Sequence, residues 1–132
     1  MSFLLDTDIC SAHFRRPGGL AHRFMQHSGR LYISAVSLAE LYSGAFHLPA
    51  PQPLLAKIAD LLVDVTLLEF DGTCAMEFGK VRGGLLQSGI RVPTADLMIA
   101  ATALANNHTL VTHNTADYRH IPALRLDDWL SP

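Results

Sequence analysis

Cysteine is scarce in this chain of 132 residues: only Cys10 and Cys74 occur, and they lack CxxC spacing. Two such thiols make no disulfide framework and no thiolate zinc site. They read as small buried hydrophobes, in keeping with a reducing cytoplasm. Histidine occurs seven times but never as HxxxH, and no Cys/His cluster appears, so zinc spacing is missing as well. Charge is thin: 17% of residues are charged, and the formal net charge of −2 gives no overall basic field for a nucleic acid. A local basic patch remains open, because net charge says nothing about distribution. Lysine is limited to Lys57 and Lys80. No apolar run spans a bilayer; the longest, Leu97 to Ala105, is far too short. The opening Met-Ser-Phe-Leu-Leu-Asp carries neither a basic region nor an apolar run of signal length. These gaps lead us to expect a cytoplasmic protein without a membrane segment.

What the chain does have is apolar residues, 49% of the total, enough for a real core in one domain over residues 1–132. Phe3-Leu4-Leu5 reads as a buried strand ending at Asp6. Asp8 is expected to cap a helix through about Arg16, stopped by Pro17-Gly18-Gly19. Leu20, Phe24 and Met25 give a second helix its stripe, ending near Ser28-Gly29. Leu31 to Ile33 forms another strand. Ser34 caps a helix whose apolar face holds Val36, Leu38, Leu41 and Phe46. Pro49, Pro51 and Pro53 mark a connection before a helix carrying Ile58, Leu61 and Leu62. Val65 to Leu68 is a third strand. Asp71 opens a helix to Ser88-Gly89, weakened in its middle by Gly83-Gly84. Thr94 starts a helix reaching Asn106, Thr109 to Thr112 is a strand, and Leu124 to Leu126 is a candidate last strand. Short apolar strands alternating with helices predict an α/β fold with a mostly parallel central sheet flanked by helices.

In such sheets ligands sit at the carboxyl ends of the strands. Asp6 stands at the end of the first strand, and Glu40 in the second turn after the second. Asp96 lies in the first turn of the helix before the fourth strand, with Asn114 and Asp117 just after that strand. Each has an ordinary explanation as a turn, cap or dipole residue. Glu40 is nevertheless the only charge in Ala35 to Leu41, and Asp96 the only one between Arg91 and His108. A lone acid in an apolar segment needs a partner. Acids gathered at one sheet edge repel one another unless a cation lies between them, and hard oxygen donors suit Mg²⁺ or Mn²⁺.

Four segments carry a family resemblance: Leu-Leu-Asp-Thr-Asp at Leu4–Asp8, Ile-Ser-Ala-Val-Ser-Leu-Ala-Glu-Leu at Ile33–Leu41, Ala-Asp-Leu-Met-Ile-Ala-Ala-Thr-Ala at Ala95–Ala103, and Val-Thr-His-Asn-Thr-Ala-Asp-Tyr at Val111–Tyr118. Together, in order and over essentially the whole chain, they resemble the PIN-domain nucleases, and most nearly the VapC-type toxins of toxin–antitoxin pairs. The resemblance implies a PIN-like fold in which Asp6, Glu40 and Asp96 form an acidic triad around Mg²⁺ or Mn²⁺. Asp6 and Asp96 would be direct ligands; Glu40 would bind through water or position the nucleophile. Asn114 falls where many members carry a fourth acid, so Asn114, Asp117 or both complete the site. Thr7 and Thr112 are candidate hydrogen-bonding supports, or β-branched filler.

The implied activity is phosphodiester hydrolysis in RNA, with structured RNA such as tRNA as the expected substrate class. Arg15, Arg16, Arg82, Arg91 and Arg119 are candidate phosphate contacts. The implied partners are a cognate antitoxin protein and a second copy of the chain in a homodimer. Phe14, Phe24 and Leu41 are candidates for either surface, although core packing is the stronger reading for each. Three other readings remain open. A phosphoacceptor-like acidic-pocket regulatory domain would want a late lysine, which this chain lacks. A catalytically inactive PIN-like RNA-binding domain and a DNA nuclease of similar fold differ in what they cleave.

Overall fold

A computed structural model describes residues 1–16 and 18–131. Five strands form one all-parallel sheet in the order β3-β2-β1-β4-β5. They are β1 (Phe3–Leu5), β2 (Leu31–Ser34), β3 (Thr66–Leu68), β4 (Thr109–Val111) and β5 (Leu126–Asp127). The helices are α1 (Thr7–Arg15), α2 (Ala21–Gln26), α3 (Ala35–Phe46), α4 (Gln52–Asp64), α5 (Gly72–Gln87), α6 (Thr94–Ala105) and α7 (Thr115–Tyr118).

The three residues of β1 are all buried because both faces of the sheet are covered. Side chains alternate across a strand, so β1 feeds two cores. Phe3 and Leu5 join Leu31, Ile33 and Val111 beneath Ile9, Leu38, Leu41 and Ile58 of α1, α3 and α4. Leu4 joins Leu110 beneath Leu85 of α5 and Leu97, Ile99 and Ala103 of α6. The chain runs outward from β1 through β2 to β3, then returns to the other side of β1 as β4. The order reverses between β1 and β4, which places a crevice at their carboxyl ends. The N-termini of α1, α3 and α6 open onto that edge.

Several sequence expectations need correction. Asp6, not Asp8, caps α1: its backbone is extended (φ −69°, ψ 161°) and its carboxylate accepts from the Thr7 amide at 2.8 Å. Asp8 is already helical, in the first turn. Pro17 in the expected stop signal lies outside the described residues; Arg16 is the C-cap. Met25 is 80% exposed and Phe46 66% exposed, so neither belongs to a buried stripe. In α3 the inward side chains are Leu38, Leu41 and Ala45, and Phe46 is rotated well away from their mean direction. Val65 ends α4 as its C-cap, leaving β3 to begin at Thr66. The last strand sits later than Leu124, because Ala123 takes a positive φ of 65° and pairing registers Leu110 with Leu126 and Val111 with Asp127.

Asp71 caps α5 through the Cys74 amide at 3.0 Å, and α5 runs unbroken past Gly83-Gly84. Leu85, Phe78 and Val81 pack it onto the α6 core, and that burial offsets the poor helix propensity of glycine. Ser34 caps α3 through the Ser37 amide at 3.0 Å. Among the described residues no helix is long and apolar enough to cross a membrane.

Candidate active site

The crevice is built around Asp6, which is 5% exposed. Its Oδ1 accepts from the Thr7 amide at 2.8 Å; its Oδ2 accepts from the Thr112 hydroxyl at 2.9 Å and the Tyr118 hydroxyl at 3.0 Å. Three donors therefore orient one buried carboxylate. Thr112 follows β4 directly, and its hydroxyl also accepts the Asn114 amide at 3.1 Å. Asp8, one helical turn in, accepts the His113 amide on Oδ2 at 3.0 Å, while its Oδ1 is buried without a partner. On the open side, the exposed Glu40 accepts the Thr7 hydroxyl at 2.6 Å.

Burial and neighbouring charge act on these acids in turn. Burial pushes the Asp6 carboxyl up to about 6, the neighbouring charge of Asp8 adds to this, and the hydrogen bonds from Thr112, Thr7 and Tyr118 oppose it. Asp96 is half-buried and also held above the usual carboxylate range, by burial first and then by Glu40, Asp117 and Asp8. Asp6, Asp8, Glu40, Asp96 and Asp117 thus share one electrostatic environment. Asn114 is held beside it through its backbone: its carbonyl accepts the Asp117 amide at 3.0 Å, and its exposed side chain makes no capping bond.

A raised carboxylate has a predictable consequence for stability. The unfolded Asp6 ionises near its ordinary value, before the folded one does, so between about pH 4 and 6 the native state binds more protons and stability falls as pH rises. The shift from 3.8 to about 6 amounts to a loss on the order of 2–3 kcal/mol. We predict that Asp6→Asn, compared with wild type in chelator, shows a relative gain in urea midpoint across this window. Parallel midpoints from pH 4 to 7 would contradict the assignment.

Among the described residues no three His, Cys, Asp or Glu side chains stand as a ready-made metal ligand set. The acids ring the crevice rather than meet at a point. Their chemistry still fits a hard divalent cation. The donors are all oxygen, Asp8 Oδ1 is an orphaned acceptor, and the raised Asp6 and Asp96 are the groups an added positive charge would stabilise.

Beside Glu40 opens a cavity of about 430 Å³ between α1, α3 and α4, lined by Thr7, Ser11, Phe14, Arg15, Leu41, Gly44, Leu54 and Lys57 among others. Phe14 and Leu41 lie in the core and also line this cavity; Phe24 is partly buried. The five candidate arginines are all exposed. Arg15 reaches the cavity, while Arg82 lies over the Phe78 ring at 5.8 Å and shares a small pocket with Arg91. Sequence reasoning missed the part played by Asp8, read there as a helix cap, and that of Tyr118. The Asp-Thr-Asp spacing was the available signal for the first. For the second there was only a hydroxyl on an otherwise apolar position.

A sheet-edge crevice of this kind, at the reversal point of a parallel sheet and lined by carboxylates on threonine supports, defines an α/β domain with an acidic site suited to a hard cation. The match to the PIN domain family model extends over residues 3–124, and the chain belongs to that family. It is 33% identical over 130 residues to the tRNA(fMet)-specific endonuclease VapC of Shigella flexneri, covering 98% of each chain. It is 32% identical to ribonuclease VapC2 of Haemophilus influenzae, over 98% of this chain and 99% of the relative. Its structure superposes on the DNA-bound VapBC complex of Salmonella typhimurium with a TM-score of 0.93 at 32% identity, covering 98% of both chains.

Proposed function

We propose that this protein is a Mg²⁺- or Mn²⁺-dependent endoribonuclease toxin, neutralised by a cognate antitoxin. The observation that carries the reading is the buried Asp6 carboxylate, oriented by three donors at the β1–β4 crevice, with Glu40 bonded to the neighbouring Thr7 and Asp96 on the same acidic rim. The near full-length similarity to VapC ribonucleases supports RNA as the substrate over DNA. Structured RNA such as tRNA is the class we favour.

In this mechanism Asp6 and Asp96 would hold the cation, and Glu40, steadied by Thr7, would bind it through water or position the attacking water. When bound, a divalent cation there would supply polarisation of the scissile phosphate and a more acidic water. Asn114 and Asp117, on the turn after β4, complete the polar rim. Arg15, which lines the cavity that also borders Glu40, and the exposed Arg16 and Arg119 are our candidates for contacts to flanking phosphates. Water adds to phosphorus, one P–O ester bond breaks, and the leaving oxygen takes a proton.

The antitoxin reading draws support from the solved VapBC complexes and from the largely apolar cavity that ends at Glu40. A basic antitoxin segment there would supply the countercharge that the acids lack when no metal is bound. We extend the reading to a homodimer, for which light scattering is the measurement. The main test is incubation of the purified protein with total RNA and with single-stranded DNA, with Mn²⁺ or with chelator, followed by mapping of the cleaved ends. Discrete RNA ends that vanish with chelator are expected. Binding without cleavage would favour an inactive RNA-binding domain, and equal cutting of DNA a general nuclease.

A further inference from the structure

Tyr118 closes α7 and is 1% exposed, packed in the α5–α6 core with Leu4, Leu97, Ile99 and Leu110. A phenylalanine would fill the same space, so the hydroxyl has work other than packing. A buried phenol needs a partner, and its partner is Asp6 Oδ2 at 3.0 Å, 112 residues earlier in the chain. An ionised carboxylate is an acceptor only, so its orientation is set by the donors around it, and Tyr118 fixes Asp6 Oδ2 from the core side beside Thr112. The ring itself is locked by core contacts, and the Ile121 amide donates to the Tyr118 carbonyl at 3.0 Å. The donor is therefore a fixed point, unlike the threonine–glutamate bond on the exposed rim.

We propose that the Tyr118 hydroxyl is a positioning group that holds the Asp6 carboxylate in the orientation from which it and Asp96 take up the cation. This rests on the metal-dependent reading above. Outer partners of metal ligands typically change affinity by ~10–100-fold when removed. Thr112 and the Thr7 amide remain in Tyr118→Phe, so the lower end applies.

The test is a titration of the full chain with Mn²⁺, without RNA, following free Mn²⁺ by electron paramagnetic resonance, with circular dichroism as the folding control. Tyr118→Phe should weaken Mn²⁺ binding about tenfold. Its RNA cleavage should fall at limiting Mn²⁺ and return close to wild type at saturation. Should the variant fail to fold, the wild type still decides: in protein labelled at tyrosine Cζ, the Tyr118 resonance should shift on addition of Mg²⁺. Tyr32→Phe and Tyr42→Phe assign the signal. Unchanged Mn²⁺ affinity, a cleavage defect that saturating Mn²⁺ does not repair, or an unmoved Cζ resonance would each overturn the proposal. A wild type that binds no Mn²⁺ would instead remove the metal-dependent reading itself.

Discussion

Asp6→Asn, Glu40→Gln and Asp96→Asn should each lower RNA cleavage by at least ~100-fold while the fold survives, since losing a ligand exceeds the effect of losing a ligand's support. The three differ in setting. Asp6 is buried and triply hydrogen-bonded, Asp96 is half-buried between like charges, and Glu40 stands exposed with one bond to Thr7. A common collapse of activity across such unlike environments points to shared chemistry rather than shared packing. The measurement is cleavage of total RNA in Mg²⁺ or Mn²⁺, with circular dichroism as the control. Full activity in Asp96→Asn would sink the mechanism. Asn114→Ala and Asp117→Asn, assayed alongside, decide which residue of the α7 turn completes the site.

Much of this arrangement was legible in the sequence because it depends on local pattern. A three-residue apolar run that stops at an acid gives a buried strand ending in a polar group. An acid alone in an apolar helix, such as Glu40 or Asp96, marks a charge that needs a counterpart. Their placement at one sheet edge follows from parallel topology alone. What was not legible depends on long-range contact. Asp8 looks like a cap from its neighbours, and only the return of β4 beside β1 brings the His113 amide to it. Tyr118 reads as core until a residue at the other end of the chain supplies its hydrogen bond. Periodicity puts Met25 and Phe46 in apolar stripes, yet the limited angular width of each packed face leaves them in solvent. The late start of β5 was likewise set by pairing with β4, which local propensity does not encode.

Metal should stabilise the wild type against heat. Without a cation, Asp6 and Asp96 are held above their ordinary ionisation range by burial and by neighbouring acids, so the folded state carries unrelieved repulsion near neutral pH. A cation that binds only the native cluster relieves it, and at tenfold over its dissociation constant linkage adds ~1.4 kcal/mol. For a domain of this size that corresponds to a rise in melting temperature of roughly 3–8 °C. Mg²⁺ and Mn²⁺ should both produce it, and Ca²⁺ should stabilise without supporting cleavage. Asp96→Asn should respond much less, having lost a ligand, and in chelator should melt higher than the wild type, because one repelling charge has gone. Ionic strength must be constant across the series, since general screening of the acids would imitate specific binding. Equal responses from the wild type and all three acid variants would place the cation elsewhere. With the response confined to proteins that keep Asp6, Glu40 and Asp96, the crevice between β1 and β4 is the site at which the cation acts.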